Sequence, residues 1–368
     1  MRESPLQEKL AAAGAVFRER HGARVVSHFG DLRAECGAVR DAAALADFSF
    51  VRVFTLPETP GLDLLDALVA GNVPKIRFGR VLHTFLADKN GLLAADCFVA
   101  NNDQEIVFIC ESILPDAELD ALLAFGGKET PVKDLTPGHA VLSLDGFKSW
   151  EVVKHIFGAD IIGLPYLSIE NYQFEGEPVR FIRAGKTSEF GYLLIAPVKI
   201  AARLFDTLKT GVEERGGRLI GADAHDALRL EGRFFNIFRE GQRVRDPLPL
   251  GLQWMIDLEK ENFSGSAAIK ARRAAGLKQK VIGLAAEANC TTLQSGARIF
   301  HEGRGVGEIV TAGVSYVLNQ PLALGLLPLE LAFSGLPFRV GAPDGAVARS
   351  ISMPPIMARS LTVKLDEM

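Results

Sequence analysis

Apolar positions change their spacing several times along the chain, and each change predicts a different kind of element. Residues 4–19 repeat apolar positions at helical intervals, and 62–71 (LDLLDALVAG) predict a second helix that stops at a glycine. The runs RVLHTFLAD, LLAADCFVAN and EIVFIC follow, separated by DKNG and NNDQ, and predict an antiparallel meander. A helix over 116–125 completes a mixed block from 50 to 136. A second mixed block begins with the strand AVLSLDG. It continues with a helix at 148–157, strands at 169–175 and 178–184, the strand YLLIAP, a helix at 198–216 and a short helix at 222–232. Past residue 275, VIGLAAE, ARIF, GVGEIVTAG, PLALGLL and PFRVG alternate with glycine-rich turns and predict a small all-β domain. The charged segment EKENFSGSAAIKARRAAGLKQK leads into it as a helical linker.

Composition narrows the functional classes. A chain of 368 residues exceeds the size at which one core stops growing, so two or three domains are expected. With 48% hydrophobic and 23% charged residues and a net charge of −4, it has the make-up of an ordinary soluble globular protein. No basic run with interleaved aromatics is present, which argues against a nucleic-acid partner. The N-terminal patch lacks a long apolar core, and no eighteen-residue apolar span occurs, so no membrane partner and a cytoplasmic location are expected. Cys36, Cys97, Cys110 and Cys290 lack zinc-type spacing and are expected to be buried thiols, with no metal site. G-x-G-x-x-G, Walker, H-E-x-x-H and G-x-S-x-G motifs are all absent.

The stretch AGKTSEFGYLLIAP at 184–197 carries more information. Gly185, Thr187, Glu189 and Gly191 match a G-Y-T-G-E-x-G segment that precedes a strand in the glycine-cleavage T-protein (aminomethyltransferase) superfamily. Collinear pieces extend the likeness over almost the whole chain. ALADFS at 44–49 resembles L-F-D-x-S, and NGLLAAD at 90–96 resembles G-G-x-x-D-D. LSLDG at 142–146, DALRLE at 226–231, GLQW at 251–254 with Lys260 and NFSG at 262–265, and GEIVTAG at 307–313 match further segments in order. The chain is therefore identified as a divergent member of that superfamily.

The resemblance implies an α+β, three-domain cloverleaf. Two mixed antiparallel-sheet and helix domains would comprise 1–50 with 137–240, and 51–136 with 241–274. A barrel-like all-β domain would comprise 275–368. It also implies tetrahydrofolate in a central channel and transfer of a methyl or aminomethyl-derived unit to it. By carry-over, Glu189 would accept the N–H row of the pterin edge in a charge-assisted fork, its flanking glycines letting the backbone approach the ring. Asp96, from the second aspartate of the family pair, would be the catalytic carboxylate beside the reactive nitrogens.

Departures from the pattern fall around the same pocket. Ala95 replaces the first aspartate, Lys186 the tyrosine of G-Y-T-G-E, His225 an arginine and Pro249 a glutamate, while His83 stands where a tyrosine is frequent. His83 and His225 either line the channel, where imidazole titrates near neutral pH, or are a half-buried strand residue and a helix-surface residue. Arg359 either reaches the folate or is a solvated tail residue. The donor stays open between a lipoylated carrier protein and a small O-methyl, N-methyl or sulfonium compound. A non-enzymatic folate-binding relative of the iron–sulfur assembly type is a further alternative; its K-G-C-Y-x-G-Q-E signature has no counterpart in REGQRVRDPLPLG.

Overall fold

The structure is a computed structural model that describes residues 1–102, 104–126, 130–287 and 290–363, so the last five residues assigned to the barrel domain lie outside the described residues. Two larger open sheets and a closed barrel, with a small two-stranded hairpin beside them, organise the described residues. A six-stranded sheet contains Ala44–Asp47, His139–Asp145, Ser168–Phe174, Glu177–Arg183, Gly191–Pro197 and the short Arg218–Leu219. A five-stranded sheet contains Arg52–Pro57, Val81–Ala87, Leu93–Asn102, Glu105–Ser112 and Lys133–Asp134. The C-terminal strands, Gln279–Ala286, Arg298–His301, Arg304–Ser315, Gln320–Pro328, Pro337–Val340 and Ala346–Ile351, close into a barrel. This is the α+β architecture with a terminal β-barrel that the sequence implies.

The meander forms because its apolar runs are broken only at turn residues. Leu93–Asn102 is buried along its entire length, as befits a strand flanked on both edges by Val81–Ala87 and Glu105–Ser112. The two open sheets share a core that includes Val53, Phe98 and Ile109 from one and Val141, Ile182 and Ile195 from the other. Helix Ala222–Gly232 joins that core through Ala224 and Leu228. Its Arg229 turns toward the polar site described below.

Four local expectations needed correction. The helix expected over 4–19 stops at Gln7–Ala12, and Val16–Arg20 pairs with Ala23–His28 as a hairpin. His21 and Gly22, both at positive φ (45° and 74°), supply the two-residue turn whose twist suits a hairpin, and this outweighs the apolar spacing. Helix Leu32–Asp41, absent from the sequence reading, starts where the Asp31 side chain accepts from the Ala34 N–H at 3.0 Å. Strands Arg52–Pro57 and Ala346–Ile351 were also missed. Among the described residues no helix is long and apolar enough to cross a membrane.

Candidate active site

Strand alternation assembles the site. Asp96 stands opposite Phe85 on one neighbouring strand and Glu111 on the other, and His83 stands opposite Phe98. Side chains two apart share a face, so His83, Asp96 and Glu111 project together. Cys97 and Cys110 face each other behind them, their sulfurs 3.7 Å apart.

Lys186 reaches this face from the turn between Glu177–Arg183 and Gly191–Pro197. Its Nζ donates to Asp96 Oδ2 and Glu111 Oε1, each at 2.6 Å. Arg229, from helix Ala222–Gly232, donates to both Glu111 oxygens at 2.8 and 2.9 Å. His83 Nε2 lies 2.6 Å from Asp96 Oδ1. All five side chains are buried. Burying an ion costs several kcal/mol unless it is paired and hydrogen-bonded. Here two carboxylates meet two cations and the charges balance.

The ionisation states follow from that balance. Burial opposes charge on Asp96, but the Lys186 ammonium and then His83 outweigh it and hold the carboxyl well below the usual range. Burial likewise opposes charge on Glu111, and Arg229 with Lys186 brings it down to about 2. Arg229, despite its burial, is held firmly charged by Glu111. Asp96 is therefore an ionised acceptor with both oxygens engaged.

His83 connects this cluster to open space. It lines a cavity of about 630 Å³, together with Tyr166, Arg233, Trp254, Lys280 and Met353. That volume falls within the range of small-molecule sites. The Trp254 ring meets His83 edge-on with centroids 5.4 Å apart, and it is 65% exposed. Tyr166, about half exposed, lines the same cavity. Asp96 itself is set behind His83, off the wall.

Glu189 is engaged by the protein's own backbone. Its carboxylate is fully enclosed and accepts from the backbone N–H groups of Arg359 at 3.2 Å and Ser360 at 2.9 Å, with Arg40 at 3.4 Å. The fork expected at a ligand edge is thus closed on the protein's own C-terminal segment. The glycines serve the same packing. A Cβ on Gly185 would meet the Gly191 Cα at 2.7 Å and Asp145 Oδ1 at 3.0 Å, so the close approach is between two stretches of backbone. Arg40 completes the knot by donating to the Thr187 carbonyl at 2.6 Å and to Glu231 at 2.8 Å, and Ser315 of the barrel donates to Glu231 at 2.7 Å. Glu189→Gln should cost about 1–3 kcal/mol, because one buried N–H then loses its acceptor. Comparison of urea midpoints checks this.

The structure also separates the remaining expected residues. Arg359 pairs with Asp41 at 3.0 Å and lies over the Phe147 ring at 4.2 Å, away from the large cavity wall. His225 is buried and borders a void of only about 10 Å³ with Phe48, Asp226 and Arg229, so it does not share a channel wall with His83. Neither of its ring nitrogens has a hydrogen-bond partner among the described residues, and Nε2 stands 3.9 Å from Asp145 Oδ2.

Burial, aided by Arg229, pushes His225 down to about 3. Burial pushes Asp145 up to about 6, against the pull of the Ser143 and Thr187 hydroxyls. Their effects on stability have opposite signs. Depressed His225 loses stability as pH falls from its unfolded value toward about 3, because only the unfolded state then binds the proton. Raised Asp145 loses stability as pH rises from the unfolded carboxylate value toward about 6. In the protein the two slopes oppose each other. Asp145→Asn should therefore steepen the acid-side loss, and His225→Asn should leave stability falling as pH rises between about 4 and 6. Denaturant titrations across that range read both.

Sequence reasoning missed Glu111 and undervalued Lys186 and Trp254. The hairpin turn fixes Asn102 opposite Glu105, and that register runs on to place Glu111 opposite Asp96. Two carboxylates side by side in a buried strand pair call for a cation, which was the available signal. Among the described residues, no group of three or more His, Cys, Asp or Glu is placed to hold a metal ion.

Comparison with known proteins matches the whole site-bearing region. The family described as GCVT N-terminal domain matches residues 6–260, and the glycine cleavage T-protein C-terminal barrel domain matches residues 279–357. An aminomethyltransferase of Synechococcus sp. is 27% identical over 338 residues, covering 91% of this chain and 93% of that protein. One from Streptomyces coelicolor is 29% identical over 331 residues, covering 88% of each. The crystal structure of the glycine cleavage system aminomethyltransferase T from Bartonella henselae superposes with a TM-score of 0.83 at 22% identity, covering 97% of this chain and 99% of that one.

Proposed function

Because the chain belongs to the glycine-cleavage T-protein family, we propose that it is a tetrahydrofolate-dependent transferase of one-carbon units that works in the cavity lined by His83. The observation that carries this reading is the neutral ion cluster of Asp96, Lys186, Glu111 and Arg229, joined through His83 to a cavity of ligand size.

The wall chemistry fits a reduced folate. Trp254 and Tyr166 offer aromatic surface to a flat ring, and Arg233 and Lys280 offer cations to an anionic tail. When bound, tetrahydrofolate supplies a ring nitrogen that accepts the carbon unit. This chain's residues hold the ring, fix His83 against it and keep Asp96 ionised close by. Glu189, committed to the backbone of the C-terminal segment, serves the fold around the site.

Two donor classes fit the reading, an aminomethyl group on a lipoylated carrier protein and a small methyl donor. The second is favoured by the replacements around Asp96, since Lys186 occupies one carboxylate oxygen and Ala95 brings no second acid. The test is to incubate the purified protein with tetrahydrofolate and each donor in turn and to identify the folate product by mass spectrometry. Methylene- or methyl-tetrahydrofolate formation with one donor class supports the proposal. Folate binding with no product from either class would refute the transferase.

A further inference from the structure

Resting on that reading of the cavity, we propose that the acid–base group of the site is His83, acting through Nδ1, and that Asp96 is its positioning residue rather than the group that meets the ligand. The geometry points to this in three ways. First, both Asp96 oxygens are already engaged within the protein: Oδ1 is 2.6 Å from His83 Nε2, and Oδ2 accepts from Lys186 at 2.6 Å. Second, His83 lies on the wall of the 630 Å³ cavity, whereas Asp96 lies behind it. Third, Nδ1 of His83 makes no hydrogen bond among the described residues, while Nε2 is committed to the carboxylate.

An ionised carboxylate only accepts, so Nε2 must carry the proton, and the neutral ring then presents the lone pair of Nδ1. Lys186 secures this polarity. By holding Asp96 ionised it prevents the carboxyl from donating to the ring, which would reverse the tautomer. Phe98 and Trp254 fix the ring plane, with centroids 4.6 and 5.4 Å from that of His83. A proton leaving an N–H of the molecule in the cavity passes to Nδ1. The Nε2 proton stays in its hydrogen bond, and the imidazolium charge faces the Asp96 carboxylate. The arrangement of carboxylate, imidazole and reacting proton generalises that of other histidine bases oriented by an acid.

The charged and titratable groups around His83 come from several elements. Asp96 and Glu111 belong to its own sheet and Lys186 to the turn above, while Arg229 stands on the helix. Tyr166, Arg233 and Lys280 lie around the cavity. The protonation readout must therefore be specific to the ring. Histidine-labelled protein is examined by long-range ¹H–¹⁵N NMR without folate, with His83→Gln assigning the signals. The expected spectrum shows His83 as the Nε2–H tautomer, and Asp96→Asn loses that exclusive preference. The Nδ1–H tautomer in the native protein would overturn the proposal.

Kinetics supply the second arm. His83→Gln should lower turnover about 10²–10⁴-fold, the usual scale for a lost general base. Folate affinity should fall far less than turnover, because the rest of the cavity wall is kept while the proton acceptor is lost. Full turnover by this variant would also overturn it. Failure of the native protein to bind folate sinks the parent reading alone, because the tautomer is read without folate.

Discussion

Lys186→Met should destabilise the protein by about 3–5 kcal/mol, the usual consequence of removing one partner from a buried charge set. Among the described residues, the ammonium is the only group that touches both Asp96 and Glu111. Without it Glu111 keeps Arg229, but Asp96 retains only its contact with His83 Nε2, in a place where burial penalises its charge. The pH dependence identifies the cause. Both carboxyls are depressed in the folded protein, so their contribution is fully present above the unfolded carboxylate value and is lost as pH falls toward their folded values. The deficit of the variant should therefore be largest near neutrality and should shrink between about pH 4 and 2. Urea titrations at neutral and acid pH give both numbers. A constant deficit at every pH would mean that Lys186 stabilises through packing alone, for instance through its place 4.9 Å from the Phe98 ring.

Asp96→Asn should lower turnover about 10³-fold, within the range found when a carboxylate that orients a histidine is replaced by its amide. The substitution keeps the shape but leaves one acceptor oxygen where two donors, His83 Nε2 and Lys186 Nζ, now converge. One of them loses its partner, and an amide N–H facing the ring favours the wrong tautomer. The loss should appear in kcat, with KM for the folate changed less than about threefold, because a group off the cavity wall contributes little to ground-state binding. A loss confined to KM would place Asp96 against the ligand instead.

How far the sequence carried differs between fold and site. The meander, the helix over 222–232 and the barrel were legible because apolar spacing and turn residues agreed there. The first hairpin was not, since VFRER reads as a helix until His21 and Gly22 are recognised as a two-residue turn. Asp96 was marked by its match to the second aspartate of the family pair; the compensation that a carboxylate in an apolar strand needs comes from Lys186 and His83. The partners themselves were hidden, one of them 90 residues away in the sequence. Glu189 was marked by its motif alone. A glutamate between glycines has the same local appearance whether its fork receives a ligand or the backbone of residues 359 and 360, and only the path of the C-terminal segment distinguishes the two. His225 was matched by position, and position says nothing of the void of about 10 Å³ beside it.

The most direct measurement is a crystal structure of the protein with tetrahydrofolate bound. The reduced ring should lie in the cavity of about 630 Å³, with a ring nitrogen within hydrogen-bond reach of His83 Nδ1 and Trp254 against the ligand. Density for the ring at Glu189, with the backbone of Arg359 and Ser360 displaced, or no folate in the cavity at saturating concentration, would contradict the account.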